Sequence, residues 1–507
     1  MPNAAREGET FLGLDIGTSS VKALLIDADQ DVLAEVSAPL ALSRPHPLWS
    51  EQNPDDWVEA VEAAVAAVRR HAPARFAALA GIGLSGQMHG ATLLDAGGAP
   101  LRPAILWNDG RSFAECVELE RRLPDFRRRA SNIAMPGFTA PKLLWVAAHE
   151  PDVFARTARV LLPKDFVRLR LSGEAVSDMS DASGTLWLDI ARRRWDDDLL
   201  AATGLSERHM PSLVEGSAVS AFLSPSIANA WGLGGRRIPI AGGAGDNAAS
   251  AVGVGATAAG AGFVSLGTSG VVFSVTDRFV SLPERTLHAF CHALPGRWHG
   301  MAVMLSAASA LSWIAAAIGR ADDIGGCIDA AQAFARSPEA ADGAPIFLPY
   351  LSGERTPYND AEATGMFADL RAGHGMDALI YAVLEGVAFA FADGVDVLTE
   401  AGARPSASML VGGGARSGYW GQMIADVTGL TIDLGQGAEA GAALGAARLG
   451  MLAAGAGDEA SVCGRPPIQR QFAPDAKRAA RHAPRLRRFH ALYAAEKATR
   501  QADSHRA

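Results

Sequence analysis

The 507-residue sequence lacks the short signatures of the commonest nucleotide-handling and hydrolytic enzymes. It has no G-x-x-x-x-G-K-[ST] loop, no G-x-G-x-x-G dinucleotide turn after a strand, no H-E-x-x-H pair and no G-x-S-x-G elbow; a Walker-type ATPase, a dinucleotide-dependent dehydrogenase, a zinc peptidase and a serine hydrolase are therefore all disfavoured. Cysteine is scarce. The four present, Cys116, Cys291, Cys327 and Cys463, include no C-x-x-C pair, so neither a zinc knuckle nor a disulfide framework is indicated, and a reducing compartment suits them. No run approaches 18 apolar residues, and residues 1–10 are polar, without the apolar segment of a secretory signal. The expectation is a cytoplasmic protein that makes no membrane contact. Nor is positive charge in excess: 46 Lys and Arg against 55 Asp and Glu leave a net charge of -9, which gives no global attraction to nucleic acid.

What the sequence does contain is a repeated hairpin. Phe11-Leu12-Gly13-Leu14-Asp15-Ile16-Gly17-Thr18-Ser19-Ser20-Val21 opens on an apolar run, breaks at a polar turn and continues into a second apolar run ending at Asp27. This is the pattern of two strands joined by a tight loop. The same pattern returns 250 residues later in Val264-Ser265-Leu266-Gly267-Thr268-Ser269-Gly270-Val271, ending at Asp277. Such self-similarity reads as a duplicated domain. Loops of this kind, rich in glycine, hydroxyls and backbone N–H groups, can hold phosphate, so Gly17, Thr18 and Ser19 and their counterparts Gly267, Thr268 and Ser269 are nucleotide-binding candidates. The copies differ where it matters for a cation: Asp15 is matched by Ser265, so only the first loop offers a carboxylate to a metal.

After the first hairpin come a strand at 32–38 and a helix announced by Asn53 as N-cap, Pro54 at the first turn and Asp55 and Asp56 at the positive end of its dipole. A strand at 80–84 follows, ending at Ser85-Gly86-Gln87-Met88-His89-Gly90. A second short strand, 103–106, leads to Trp107-Asn108-Asp109-Gly110-Arg111. Aromatic, amide, carboxylate, imidazole and guanidinium groups together suit sugar hydroxyls. Three antiparallel strands, a helix and a further strand resemble the ribonuclease-H-like fold of actin and its ATPase relatives. The fold expected is therefore α/β, two ribonuclease-H-like (actin-like ATPase) lobes flanking a catalytic cleft, divided as 1–245 and 246–507.

Further on, Arg237-Ile238-Pro239-Ile240 enters the glycine turn Ala241-Gly242-Gly243-Ala244-Gly245, which presents Asp246-Asn247 just ahead of the second phosphate loop. By its sequence setting alone, Asp246 reads as either a helix cap or a cleft carboxylate. Met409-Leu410-Val411-Gly412-Gly413-Gly414-Ala415-Arg416-Ser417 is a strand entering a glycine turn and then a helix, the geometry that favours phosphate. Residues 349–357, Pro349 to Pro357, carry no assigned chemistry and read as structural or as a subunit contact. Lys142-Leu143-Leu144-Trp145 falls at helical spacing and reads as packing, and Asp178, Asp181, Ser183 and Thr185 read as turn and capping residues. Residues 464–507 hold 11 Lys or Arg against 3 Asp or Glu. The reading is a basic terminal helix from about residue 468 that packs on an acidic body, as far back as the first lobe.

Gly86-Gln87-Met88-His89-Gly90, Trp107-Asn108-Asp109-Gly110-Arg111, Pro136-Gly137-Phe138-Thr139-Ala140-Pro141 and Leu162-Pro163-Lys164-Asp165 together resemble the FGGY carbohydrate kinases, over about residues 11–449. The resemblance implies phosphorylation of a sugar by ATP with Mg²⁺, D-xylulose being the substrate of the members most similar in these motifs and D-ribulose or a polyol the alternative; a non-catalytic actin-fold ATPase is the contrasting class. It implies Asp246 as catalytic base, with Met88, His89, Trp107, Asn108 and Asn247 around the sugar. Asp15 would hold the metal, and Gly412, Gly413, Gly414 and Arg416 would lie along the nucleotide. Relatives often carry glycine where Ala244 stands, so a methyl there could narrow the turn. The resemblance leaves a homodimer open and implies no nucleic-acid partner.

Overall fold

The computed structural model describes residues 8–436 and 441–504; the polar lead-in at 1–7 lies outside them. Two mixed sheets carry the fold. In the first, Thr10–Ile16 pairs antiparallel with Ser20–Asp27, which pairs antiparallel with Val32–Pro39. On its other edge Thr10–Ile16 runs parallel to Leu79–Gly86, and Pro239–Ala241 and then Val219–Phe222 complete the path. The second sheet repeats this order with Trp298–Met304, Gly270–Thr276, Ala261–Leu266, Ala407–Val411, Ile432–Gly435 and Ile468–Phe472, and adds His288–Cys291 at its edge. The duplication seen in the two hairpins thus extends over six strands of each sheet. Gly81, Gly83 and Gly86 do fit the spacing G-x-G-x-x-G, but they lie inside the strand Leu79–Gly86 and form no nucleotide turn.

Alternation along the strands gives the first sheet two buried faces. Leu12, Leu14 and Ile16 pack with Trp57, Val61, Val65 and Val68 of the helix Pro54–His71, whose Asn53 cap accepts from the Asp55 N–H. Phe11, Leu24 and Ile26 pack on the other side with Ala443 and Ala447 of Gly441–Ala453, a helix from the far end of the chain. Only glycine admits that helix: a Cβ on Gly83 would stand 1.7 Å from the Ala446 carbonyl oxygen, and one on Gly13 2.0 Å from that of Ala443. The same helix packs on Asp246–Gly253, where a Cβ on Gly445 would stand 1.8 Å from the Ala249 oxygen. A helix from the second half of the chain is thus packed against the first sheet and against the helix that follows the expected division at 245/246.

The 25-residue helix Met376–Glu400 forms the centre of the second lobe. Among the described residues it is the one helix long and apolar enough by mean hydropathy to cross a membrane, although Glu385 and Asp393 interrupt its apolar run, and nearly all of it is buried within the protein. Its Glu385 carboxylate is fully buried and needs a cation, which the terminal helix Ala476–Ser504 supplies as Arg485 at 2.5 Å, while His482 Nδ1 lies 2.8 Å from the same carboxylate. Two expectations are corrected here. Residues 468–472 form an edge strand, with the helix starting only at Ala476, and the helix packs on Ile346–Leu348, Pro338–Asp342, Met376–Glu400 and Gly418–Thr428, all second-lobe elements, with no comparable packing on the first lobe.

Candidate active site

A cavity of about 270 Å³ lies between the lobes, lined from the first by Met88, His89 and Trp107 and from the connection by Asp246 and Asn247. Gly267, Thr268 and Ser269 face it from the second lobe. A second cavity, about 380 Å³, is lined by Asp15, Lys22, Gly412, Gly413 and Arg416. Ser265 borders both, so they are two compartments of one cleft. Five expected residues, Asn108, Gly17, Thr18, Ser19 and Gly414, are absent from both linings, and Asn108 and Ser19 are exposed.

The reason is clearest for Thr18. Its hydroxyl donates to Gln87 Oε1 at 3.0 Å and accepts from the Trp107 indole N–H at 2.9 Å. A hydroxyl has one proton to give, so in this arrangement Thr18 has none for a phosphate oxygen. It holds Trp107 at the mouth of the first cavity instead. The Gly414 position is filled by packing, since a Cβ there would stand 2.4 Å from Leu266 Cγ.

Asp246 is the first residue of the helix Asp246–Gly253, and Gly245 occupies the cap position. The cap reading of Asp246 is thereby replaced. Its Oδ1 accepts from the Asn247 backbone N–H at 2.7 Å and from Asn247 Nδ2 at 2.9 Å. Although it borders the cavity and is only part-buried by area, the surrounding protein desolvates it and the nearby Asp15 charge repels its ionised form, raising its pKa to about 6 against the lowering by the two Asn247 bonds. Asp15 is itself raised by burial, with Ser85 and Lys22 acting the other way, and its Oδ1 is buried without a hydrogen-bond partner.

The turn that delivers Asp246 is clamped from behind. Gly243 takes φ +78°, and a Cβ there would stand 2.3 Å from the Leu84 oxygen; Arg168 donates to the carbonyls of Ala241 at 2.7 Å and Gly242 at 2.5 Å. Arg168 belongs to a fully buried ionic cluster in which Lys164 meets Asp165, Asp178 and Asp181 at 2.6, 2.7 and 3.1 Å. Asp178 does cap its helix, accepting from the N–H groups of Ser180 and Asp181, and Ser180 Oγ in turn accepts from Gly245 N–H at 3.2 Å. Ala244 points its methyl into the buried cluster of Phe11, Ala241 and Ala248, so it does not narrow the ligand side of the turn.

His89 sits at φ +68°, a left-handed conformation for a non-glycine residue. Its backbone oxygen is held there by Lys142 Nζ at 2.8 Å and Thr139 Oγ1 at 3.2 Å. Lys142, expected to serve packing, is a buried cation that also binds the Gly137 oxygen at 2.8 Å, and burial lowers its pKa to about 7. His89 is neutral, its pKa pushed to about 3 by burial and then by the Lys142 charge. Its Nδ1 lies 2.7 Å from the Gly184 oxygen and donates to it, which leaves Nε2 as an acceptor. A Cβ on Gly184 would stand 2.4 Å from the imidazole, so His89 and Met88 rest on that glycine.

Sequence reasoning missed the far wall. Phe138, Met301 and Val303 give it an apolar surface, and Arg355 adds a cation. Residues 349–357 thus contribute to the cleft, a correction to their structural reading. Phe138 stood in a quoted motif, whereas nothing in the local sequence marks Arg355.

Comparison with known proteins agrees with this architecture. Residues 10–253 match the N-terminal domain of the FGGY family of carbohydrate kinases and residues 262–454 its C-terminal domain. The xylulose kinase of Escherichia coli K12 is 50% identical over 486 residues, 95% of this chain and 98% of that one; that of Klebsiella pneumoniae is 49% identical over the same length and shares. The crystal structure of a xyloylose kinase from Brucella ovis superposes with a TM-score of 0.90 at 49% identity, covering 97% of this chain and 100% of its own. A xylulose kinase from Rhodospirillum rubrum gives 0.87 at 31% identity, covering 96% and 99%. Two FGGY domains in sequence, folded around one shared cleft, establish that the chain belongs to the FGGY family of carbohydrate kinases.

Proposed function

We propose that the chain transfers the γ-phosphate of ATP to D-xylulose, giving D-xylulose 5-phosphate, with Asp246 as general base. The observation that carries the reading is a carboxylate raised to about 6, facing a cavity that it shares with His89, Asn247 and the loop Gly267–Ser269; identity of 50% to a xylulose kinase over nearly the whole chain supplies the sugar.

Phosphoryl transfer asks mainly for positioning and charge stabilisation. His89 Nε2 accepts from a sugar hydroxyl, and Asn247 can both donate and accept. Asp246 Oδ1 is taken by the two Asn247 bonds, leaving Oδ2 to receive the proton of the attacking hydroxyl. A base with a pKa near 6 is ionised at neutral pH and still basic enough to take that proton. The loop Gly267–Ser269 meets the transferred phosphate, and Gly412, Gly413 and Arg416 line the compartment for the rest of the nucleotide.

Among the described residues no three His, Cys, Asp or Glu side chains form a metal cluster, which fits Mg²⁺, an ion that uses one or two carboxylates and completes its shell with water and phosphate oxygens. The buried, unpartnered Asp15 Oδ1 fits as its protein ligand. Bound there, Mg²⁺ neutralises phosphate charge.

A coupled ADP-release assay across ketopentoses and polyols tests the reading. Highest kcat/KM on D-xylulose is expected. Preference for ribulose or a polyol would move the substrate within the family, and an ATPase rate indifferent to every sugar would overturn the proposal.

A further inference from the structure

Arg355 is a charged side chain lining the sugar cavity to which the proposed reaction gives no role. It enters from the second lobe on a loop bolted to the strand Trp298–Met304. Thr356 N–H donates to the Val303 oxygen and Val303 N–H to Thr356 Oγ1, both at 3.0 Å, and Thr356 Oγ1 donates to the Thr286 oxygen at 3.0 Å. Glu354 Oε1 accepts from the N–H groups of Leu305 at 2.9 Å and Arg355 at 2.7 Å. The loop is rigid and its arginine lines the cavity beside Met301 and Val303. Among the described residues the guanidinium has no ion pair and no hydrogen bond, and its main electrostatic neighbour, Glu354, is itself shifted by burial to about 8 and so is largely neutral at pH 7. The residue is half-buried, so its guanidinium keeps donors available to a ligand in the cavity it lines.

Which end of the ligand it meets follows from the neighbours. Thr356, next to Arg355, is bonded to Val303 and to Thr286, two residues from His288, and Phe138 meets the His288 ring at 5.4 Å and the His89 ring at 4.7 Å; Arg355 therefore stands at the His89 side of the cavity. The polar groups divide by chemistry: Asp246 and neutral His89 Nε2 only accept, and so take hydroxyls, whereas a guanidinium only donates and is best matched by an oxygen with two lone pairs and no proton to place.

We propose that Arg355 is a specificity-determining residue that grips the carbonyl-bearing end of the sugar, so that the pocket selects a ketose over the polyol of equal length. The inference rests on the reading of this cavity as the sugar site.

The test is calorimetric binding of D-xylulose and of the pentitols formed by reducing its C2 carbonyl, to the wild type, R355Q and R355K, with melting temperature and ATP affinity measured beside it. R355Q is expected to weaken ketose binding about 10- to 150-fold, the range for a hydrogen bond from a charged donor, and pentitol binding less than about 5-fold, with ATP affinity and melting temperature held. R355K, which keeps the charge and loses the fork, falls between. An unchanged ketose-to-pentitol ratio in a folded R355Q overturns the proposal, as does an equal loss of ATP affinity, which would make Arg355 a phosphate contact. If R355Q does not fold, the ratio in R355K decides by the same criterion. Should the wild type phosphorylate no ketose, the proposed reaction fails on its own, and the binding ratio still decides the role of Arg355.

Discussion

The two hairpins descend from one pattern and do different work. In the first, Ile16 pairs with Val21 across the loop; in the second, Leu266 pairs with Gly270, one residue tighter. The first loop is tied into its own lobe: Gln52 Nε2 binds the Thr18 oxygen at 2.7 Å, Gln87 Nε2 reaches the Gly17 oxygen at 3.3 Å, and the Thr18 hydroxyl is spent on Gln87 and Trp107. The second loop faces the cavity through Gly267, Thr268 and Ser269, anchored from behind where Ser309 Oγ donates to the Thr268 oxygen at 2.7 Å. In the proposed reaction the first hairpin contributes Asp15, which sits before its turn, on the strand. Duplication supplied two copies of a loop, and burial decided which copy keeps its donors free.

The comparison breaks most decisively at Asp246, whose ionised form is repelled by Asp15 of the first hairpin. Asp246→Asn keeps size and hydrogen bonding yet cannot take a proton, so kcat should fall about 10²- to 10⁴-fold while titrations show sugar and ATP still bound; near-normal kcat would remove Asp246 from the mechanism. Next in size is the pair Asp15→Ala and Ser265→Ala. Loss of the metal carboxylate should cost about 10²-fold or more in kcat, against less than about 10-fold for the hydroxyl, and equal losses in kinetics run against Mg²⁺ would erase the asymmetry. The milder Asp15→Asn also removes the charge that raises Asp246, so the acid limb of its kcat/KM profile should move to lower pH than the wild-type limb near 6; a limb that stays put would mean another group titrates.

A smaller contrast separates the threonines. Thr268→Val should act on ATP use and Thr18→Val on sugar KM through the freed Trp107, each by about 5- to 10-fold; steady-state kinetics showing the same parameter affected in both would join the loops in one role. The least effect is on stability. The pKa of Asp246 is raised in the folded chain, so folding favours its protonated form: the contribution is present below the ordinary carboxylate value of 3.8 and is lost as pH rises through about 6. Asp246→Asn should therefore melt at or a few degrees above the wild type at pH 7.5 and lose that advantage by pH 4, which thermal unfolding at the two pH values reads directly.

Local chemistry made much of the fold legible in the sequence. Asn53 followed by Pro54 and two aspartates dictates a helix start wherever it occurs, and Asn53 does cap Pro54–His71; Ser417 likewise accepts from Trp420 N–H at the head of Gly418–Thr428. Alternating apolar residues gave both hairpins, and their recurrence gave two lobes. Met88, His89, Trp107, Asp246 and Asn247 were legible as a group because each follows a strand end or a glycine turn, where side chains reach a cleft.

Other features depend on distant contacts that carry no local mark. Lys142 looks like any lysine on a helix, and becomes the clamp on His89 only through a bond spanning 53 residues. Arg355 enters the cavity because Thr356 pairs with Val303, also 53 residues away. The terminal helix chose the second lobe because Glu385 lies buried there and needed Arg485, 100 residues on. The sequence by itself determined which segments become strands, helices and loops, since capping, alternation and glycine conformations act within a few residues. Only the tertiary structure decided which polar groups are spent on the protein and which are left for a ligand, because that depends on what else is buried beside them.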